Sequence, residues 1–181
     1  MYCTEQVLNK NWRLYIAENQ NCRAFADNVF NEKALKEYGI EPIPASVPGN
    51  FELDMQKAGL IDDPFYADNP LKIQRLENRH LWYAVDFEYT GKFPERAYLK
   101  FDGIDTFSDI YLNGGIIGST DNMLISYEFP AVGIKKGSNE LLVHIKPTVI
   151  EARRFNFDMD VLTHQKYNAA ALSVRKAAHS F

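Results

Sequence analysis

Between Leu81 and Lys146 the chain alternates apolar and polar residues with a period of two, and no other feature narrows its fold as much. Val85, Phe87 and Tyr89 alternate with Asp86 and Glu88. Ala97, Leu99 and Phe101 alternate with Tyr98, Lys100 and Asp102, and Leu141, Val143 and Ile145 with Leu142, His144 and Lys146. In an extended chain every second side chain points to the same side, so each run is a strand that buries one face. The runs are separated by turn formers: Gly91, Asn113-Gly114, and Lys136-Gly137-Ser138-Asn139. Asn-Gly tolerates positive φ at both positions, which suits a two-residue hairpin, and Ile116-Ile117 begins the return strand. Short half-buried strands with frequent turns predict a mainly β protein, a jelly-roll β-sandwich with a few short helices.

The N-terminal third reads differently. Trp12 to Ile16 is a first strand, and Asn28 to Tyr38 a short helix stopped by Gly39. Pro42, Pro44 and Pro48 each remove a backbone donor, so their segment is an edge strand or connector rather than a central strand. Asn50 is placed to cap a helix through Lys57, with Gly59 ending it. Residues 61–70 hold two prolines and three aspartates and read as loop. After Pro147, Thr148 can cap a short helix to about Arg154, and Asn168 to Leu172 is weakly helical or extended. The expected organisation is a β-sandwich with its N-terminal segment over residues 1–147, and a helical or loop extension over residues 148–181.

Composition excludes several classes of function. The formal net charge of −4 gives no electrostatic footprint for nucleic acid or an anionic membrane. No apolar run is long enough to cross a bilayer, and Met1 to Lys10 lacks the pattern of a signal peptide. The compartment stays open. Cys3 and Cys22 form neither a disulfide framework nor zinc-site spacing and read as plain thiols.

The residues capable of chemistry do not form a reactive set. Hydrolytic acid–base catalysis by carboxyl groups needs two of them held close together in a fixed geometry. Asp158 and Asp160 are the nearest pair, in a polar stretch that reads as solvated loop. Asp62, Asp63 and Asp68 offer hard oxygens for calcium but no EF-hand spacing, so turn chemistry is the better reading. His80, His144, His164 and His179 include no zinc-like pair, and His144, on the polar side of its strand, is expected to be exposed. Trp82 and Tyr83 are candidate sugar-contacting aromatics, but packing of the core is the preferred reading. No residue is assigned a catalytic, metal-binding or cofactor-binding role, and no cofactor is expected.

Several blocks together resemble glycoside hydrolase family 2, and within it the β-mannosidases. These are Val47-Pro48-Gly49-Asn50 with Leu53-Asp54 and Ala58-Gly59-Leu60-Ile61; Asp63-Pro64-Phe65-Tyr66 with Asp68-Asn69; and Trp82-Tyr83 followed by Phe87. Further along come Phe101-Asp102-Gly103-Ile104-Asp105-Thr106 with Tyr111-Leu112-Asn113-Gly114, then Thr120-Asp121-Asn122-Met123 and Gly137-Ser138-Asn139-Glu140-Leu141. Finally, Val174-Arg175-Lys176-Ala177 with Ser180-Phe181 resembles the approach to a Gly-Trp-Asp-Trp-Gly-Pro motif. The resemblance covers roughly residues 8–181. It implies a galactose-binding-domain-like sandwich in a multidomain retaining exo-glycosidase whose two catalytic glutamates lie in a downstream TIM barrel. The implied partners are that barrel and a β-mannoside or related glycan. On this reading no catalytic role transfers to this chain, while Arg175, Lys176 and His179 lie in a tail heading toward the substrate pocket and would support it. Other family 2 activities (β-galactosidase, β-glucuronidase, exo-glucosaminidase) and a free-standing carbohydrate-binding module are the alternatives.

Overall fold

A computed structural model describes residues 4–18, 26–92 and 96–154. Among them are eight strands: β1 (Trp12–Glu18), β2 (Ile43–Ala45), β3 (Arg79–Tyr89), β4 (Tyr98–Phe101), β5 (Ser108–Leu112), β6 (Gly115–Thr120), β7 (Tyr127–Pro130) and β8 (Gly137–Ile145). Six form an antiparallel sheet in the order β2-β1-β3-β8-β5-β6, and β4 pairs with β7 in a second, two-stranded sheet. This is the β-sandwich that the alternation predicts.

One face of the large sheet meets the small one. Val85, Phe87, Ile110, Leu112, Leu141 and Val143 are buried there, with Leu99, Phe101 and Phe129 of the small sheet packed against them. Gly118 is required at this seam, because a Cβ there would collide with the ring of Phe129 at 2.2 Å. The opposite face is covered as well. Tyr15, Trp82, Ala84, Tyr111 and Leu142 pack against Ala26, Val29 and Leu35 of the N-terminal segment. The central strands are therefore buried on both sides: residues 80–82, 84 and 85 of β3, and all of 141–144 in β8, are buried. The exposure expected for His144 is thus corrected, since the polar face of its strand meets protein rather than water.

The covering segment contains helix α1 (Glu32–Glu37), whose N-terminus is capped by Asn31 Oδ1 accepting from the Ala34 amide at 2.9 Å. Gly39, at φ +72°, ends the helix. Helix α2 (Phe51–Lys57) follows the same grammar, with Asn50 Oδ1 accepting from Leu53 N at 3.0 Å and Gly59 at φ +72°. Helix α2 matches its expected cap and stop, whereas α1 keeps the expected stop at Gly39 but begins at Glu32 behind Asn31, rather than at Asn28. A short helix α3 (Asn69–Ile73) with a single 3₁₀ turn after it, Gln74–Asn78, occupies the stretch following the aspartate-rich loop. Helix α4 (Thr148–Glu151) is capped at Pro147, without a side-chain hydrogen bond, so Thr148 is its first residue rather than its cap and is buried.

Both edges of the large sheet are blunted. β2 carries Pro44, which cannot donate to a further strand, and β6 carries a register irregularity opposite Ile110 and Tyr111. The Asn113-Gly114 turn joins β5 to β6 with both residues at positive φ, 52° and 82°, as the dipeptide predicts.

Candidate functional site

Strand register lines up four side chains across the face covered by α1. Tyr15 is opposite Trp82, Trp82 opposite His144, and His144 opposite Asp109. Trp82 is fully buried, its ring stacked on His144 (centroids 4.6 Å, interplanar angle 11°) and on His80 (5.6 Å, 20°). His80 Nδ1 and His144 Nε2 are 2.8 Å apart, so one ring nitrogen donates to the other. Burial pushes His144 well below the usual imidazole range, and the charges of His80 and Lys146 push it further in the same direction. Lys146 Nζ is held 2.6 Å from Asp109 Oδ2 at the margin of this cluster.

Tyr83 follows Trp82 in sequence, so the strand's pleat sends it to the other face. There it meets Trp12 edge-on at 6.5 Å. Burial raises its phenol pKa, and the Asp54 and Glu52 charges add to the shift. No single sugar ring can lie against both aromatics. In the described residues Trp82 and Tyr83 each pack protein, one on either side of the sheet.

A charge network that the sequence does not signal joins α1 to the sheet. Glu32, at the first position of α1, is buried and accepts hydrogen bonds from Arg13 Nε and the Tyr15 hydroxyl, with Arg13 Nη2 also donating at 3.1 Å. Arg13 Nη2 bridges on to Asp86 Oδ2 at 2.8 Å. Burial would raise the Glu32 carboxyl, but donation from Arg13 and Tyr15 outweighs it and holds the pKa below the ordinary value. Glu140 accepts from the Glu32 amide at 3.1 Å, and burial raises its pKa, reinforced by the negative charges of Glu32 and Asp86. The partners come from positions 13, 15, 32, 86 and 140, and only the folded register brings them together.

The aspartate-rich loop is a set of turns. Asp63 Oδ1 accepts from Phe65 N at 2.9 Å, and Asp63 O accepts from Tyr66 N at 3.2 Å and Asn69 Nδ2 at 2.8 Å. Asp68 pairs with Lys72 at 3.0 Å. Asp63 thus serves the turn chemistry expected of it and Asp68 an ion pair, while the loop holds Phe65 and Tyr66 out at 76% and 71% exposure. Among the described residues no three His, Cys, Asp or Glu side chains group as metal ligands. The expectations for Arg175, Lys176, His179, Asp158, Asp160, His164, Cys3 and Cys22 lie outside the described residues.

Two facing antiparallel sheets with aromatic clusters turned inward make this domain a β-sandwich. The chain belongs to the glycosyl hydrolase 2 galactose-binding domain-like family, whose model matches residues 25–181. It is 33% identical to the β-mannosidase of Mus musculus over 113 residues, covering 61% of this chain and 13% of that protein. It is 37% identical to β-mannosidase B of Thermothelomyces thermophilus over 99 residues, or 53% of this chain and 12% of the relative. The crystal structure of β-D-mannosidase from Dictyoglomus thermophilum matches 90% of this chain with a TM-score of 0.66 and 33% identity, and the chain covers 18% of that structure. A β-glucuronidase from Ruminococcus gnavus, at 17% identity and a TM-score of 0.52, shares the fold. This chain therefore corresponds to less than a fifth of each of these β-mannosidases. None of its described helices is long and apolar enough to cross a membrane.

Proposed function

We propose that this chain is the non-catalytic β-sandwich of a β-mannosidase-like retaining exo-glycosidase and packs beside a catalytic barrel on the same polypeptide. The likeness to the Dictyoglomus β-D-mannosidase carries the reading. It extends over 90% of the chain at 33% identity, whereas the glucuronidase likeness is at 17% and speaks only for the fold. The physical role is positioning. A sandwich braced on both faces of its main sheet gives a rigid platform, and rigidity is what holds a pocket wall in register with a reacting sugar. On this reading residues 148–181 leave the sandwich toward the barrel, and Arg175, Lys176 and His179 support the pocket wall around a β-mannoside. Trp82 and Tyr83 act through the core that holds the platform rather than by touching sugar.

The test is substrate choice in the polypeptide extended through its barrel. Aryl β-D-mannoside should be cleaved with a kcat/KM at least about 100-fold above those for aryl β-D-galactoside and β-D-glucuronide, since a site built to hydrogen-bond specific hydroxyls discriminates by that much or more. A preference for the galactoside or glucuronide would replace this reading with another family 2 activity.

A further inference from the structure

The segment from Leu60 to Leu71 gathers four exposed large hydrophobic side chains: Leu60 at 54%, Phe65 at 76%, Tyr66 at 71% and Leu71 at 68%. The two ends of the segment come together, because Leu60 and Asp62 line one shallow recess with Asn69, Lys72 and Arg75. The display is built rather than loose. Besides the bonds to Asp63, the Tyr66 carbonyl accepts from Asn69 N at 3.0 Å and the Asp68 carbonyl from Leu71 N at 3.0 Å. Leu60 itself is fixed by donating its amide to Met55 O at 2.9 Å, at the end of α2. Ordering a loop in order to hold apolar side chains in water is unfavourable unless something covers them.

We infer that this patch is the docking surface for the catalytic barrel of the same polypeptide, an inference that rests on the functional reading above. Two observations favour a protein surface over a sugar as the occupant. The patch mixes aliphatic with aromatic side chains, and the aliphatic ones offer a pyranose no stacking face. The segment and the residues just after it carry both signs of charge, with Asp62, Asp63 and Asp68 beside Lys72 and Arg75, the mixed polar composition of a protein-interface rim. The partner is the barrel because the β-mannosidases similar to this chain continue far beyond it, the chain covering 18% of the Dictyoglomus enzyme.

Hydroxyl-radical footprinting of the wild-type chain, alone and within the polypeptide extended through its barrel, tests this. Phe65 and Tyr66 should be oxidised readily in the 181-residue chain and at least tenfold more slowly in the extended polypeptide. Equal oxidation in both, or protection that falls instead on Leu124, Ile125 and Val132, overturns the assignment. Loss of the functional reading shows separately, as an extended polypeptide that protects Phe65 and Tyr66 yet cleaves no aryl β-mannoside. Protection of the two rings by mannose or manno-oligosaccharide in the 181-residue chain also overturns it and makes the patch a sugar site.

Discussion

Asn113 Nδ2 donates to Asn139 Oδ1 at 2.9 Å, so the turn that joins β5 to β6 is locked to the entry of β8. Each amide then fans out. Asn113 Oδ1 accepts from Glu140 N at 3.0 Å and its Nδ2 also reaches Gly133 O at 2.9 Å. Asn139 Nδ2 donates to Lys135 O and Gly137 O, while its Oδ1 accepts from Lys135 N. Two short asparagines thus satisfy the backbone of two turns at one end of the sandwich. Replacing Asn139, which is 2% exposed, with Ala strands several of these groups and should cost about 2–4 kcal/mol. Asn113→Ala should cost a similar amount, and the double variant less than the sum. Urea unfolding measures all three, and strict additivity would contradict the shared network.

The stacked imidazoles give a pH dependence with a definite sign. His144 has its folded-state pKa pushed well below 6.5, so below about 6.5 the unfolded chain takes up a proton that the folded chain refuses. Stability is therefore full above 6.5 and falls as the pH drops, by up to about 1.4 kcal/mol per pH unit. The urea midpoint should fall between pH 7.5 and 5.5 in the wild type and fall less in His144→Gln. Equal slopes in the two proteins would rule out His144 as the source.

Glu32 anchors α1 by accepting from both Arg13 and the Tyr15 hydroxyl. Glu32→Ala leaves Arg13 Nε and the Tyr15 hydroxyl without their shared acceptor, Arg13 keeping only Asp86, and should destabilise by about 2–4 kcal/mol, whereas Asn31→Ala, which removes only the cap, should cost about 1 kcal/mol. Thermal unfolding ranks the two. A smaller loss for Glu32→Ala would mean that the network adds little.

Burial predicts a sharp contrast between aromatics. Trp82→Ala opens the double-sided core and should cost about 3–5 kcal/mol, while Phe65→Ser and Tyr66→Ser should stay within about 0.5 kcal/mol of wild type in the 181-residue chain. Calorimetry of the three variants checks this, and a Phe65 or Tyr66 variant as damaged as Trp82→Ala would contradict the exposed loop.

What the sequence reveals, and where it falls silent, follows from the range of the interactions. The cap of α2, the glycine stop of α1, the Asn113-Gly114 turn and the proline-bearing edge strand are set by neighbours within a few residues, so the local code names them correctly. His144 was misread because a period of two reports only that a strand has two faces. It does not report that the segment from Ala26 to Leu35 lies over the second one. The Glu32 network and the His80–His144 pair escape for the same reason, being separated by up to 108 and 64 residues in the chain. The adjacent Trp82 and Tyr83 suggest a shared aromatic surface only until the pleat places them on opposite faces.

The most direct test is the purified 181-residue chain itself, incubated with aryl β-D-mannoside after circular dichroism and a cooperative thermal transition have shown that it is folded. A platform that positions chemistry performed elsewhere should release phenolate no faster than buffer. Turnover above that background, abolished by replacing a carboxylate within the chain, would contradict a non-catalytic role.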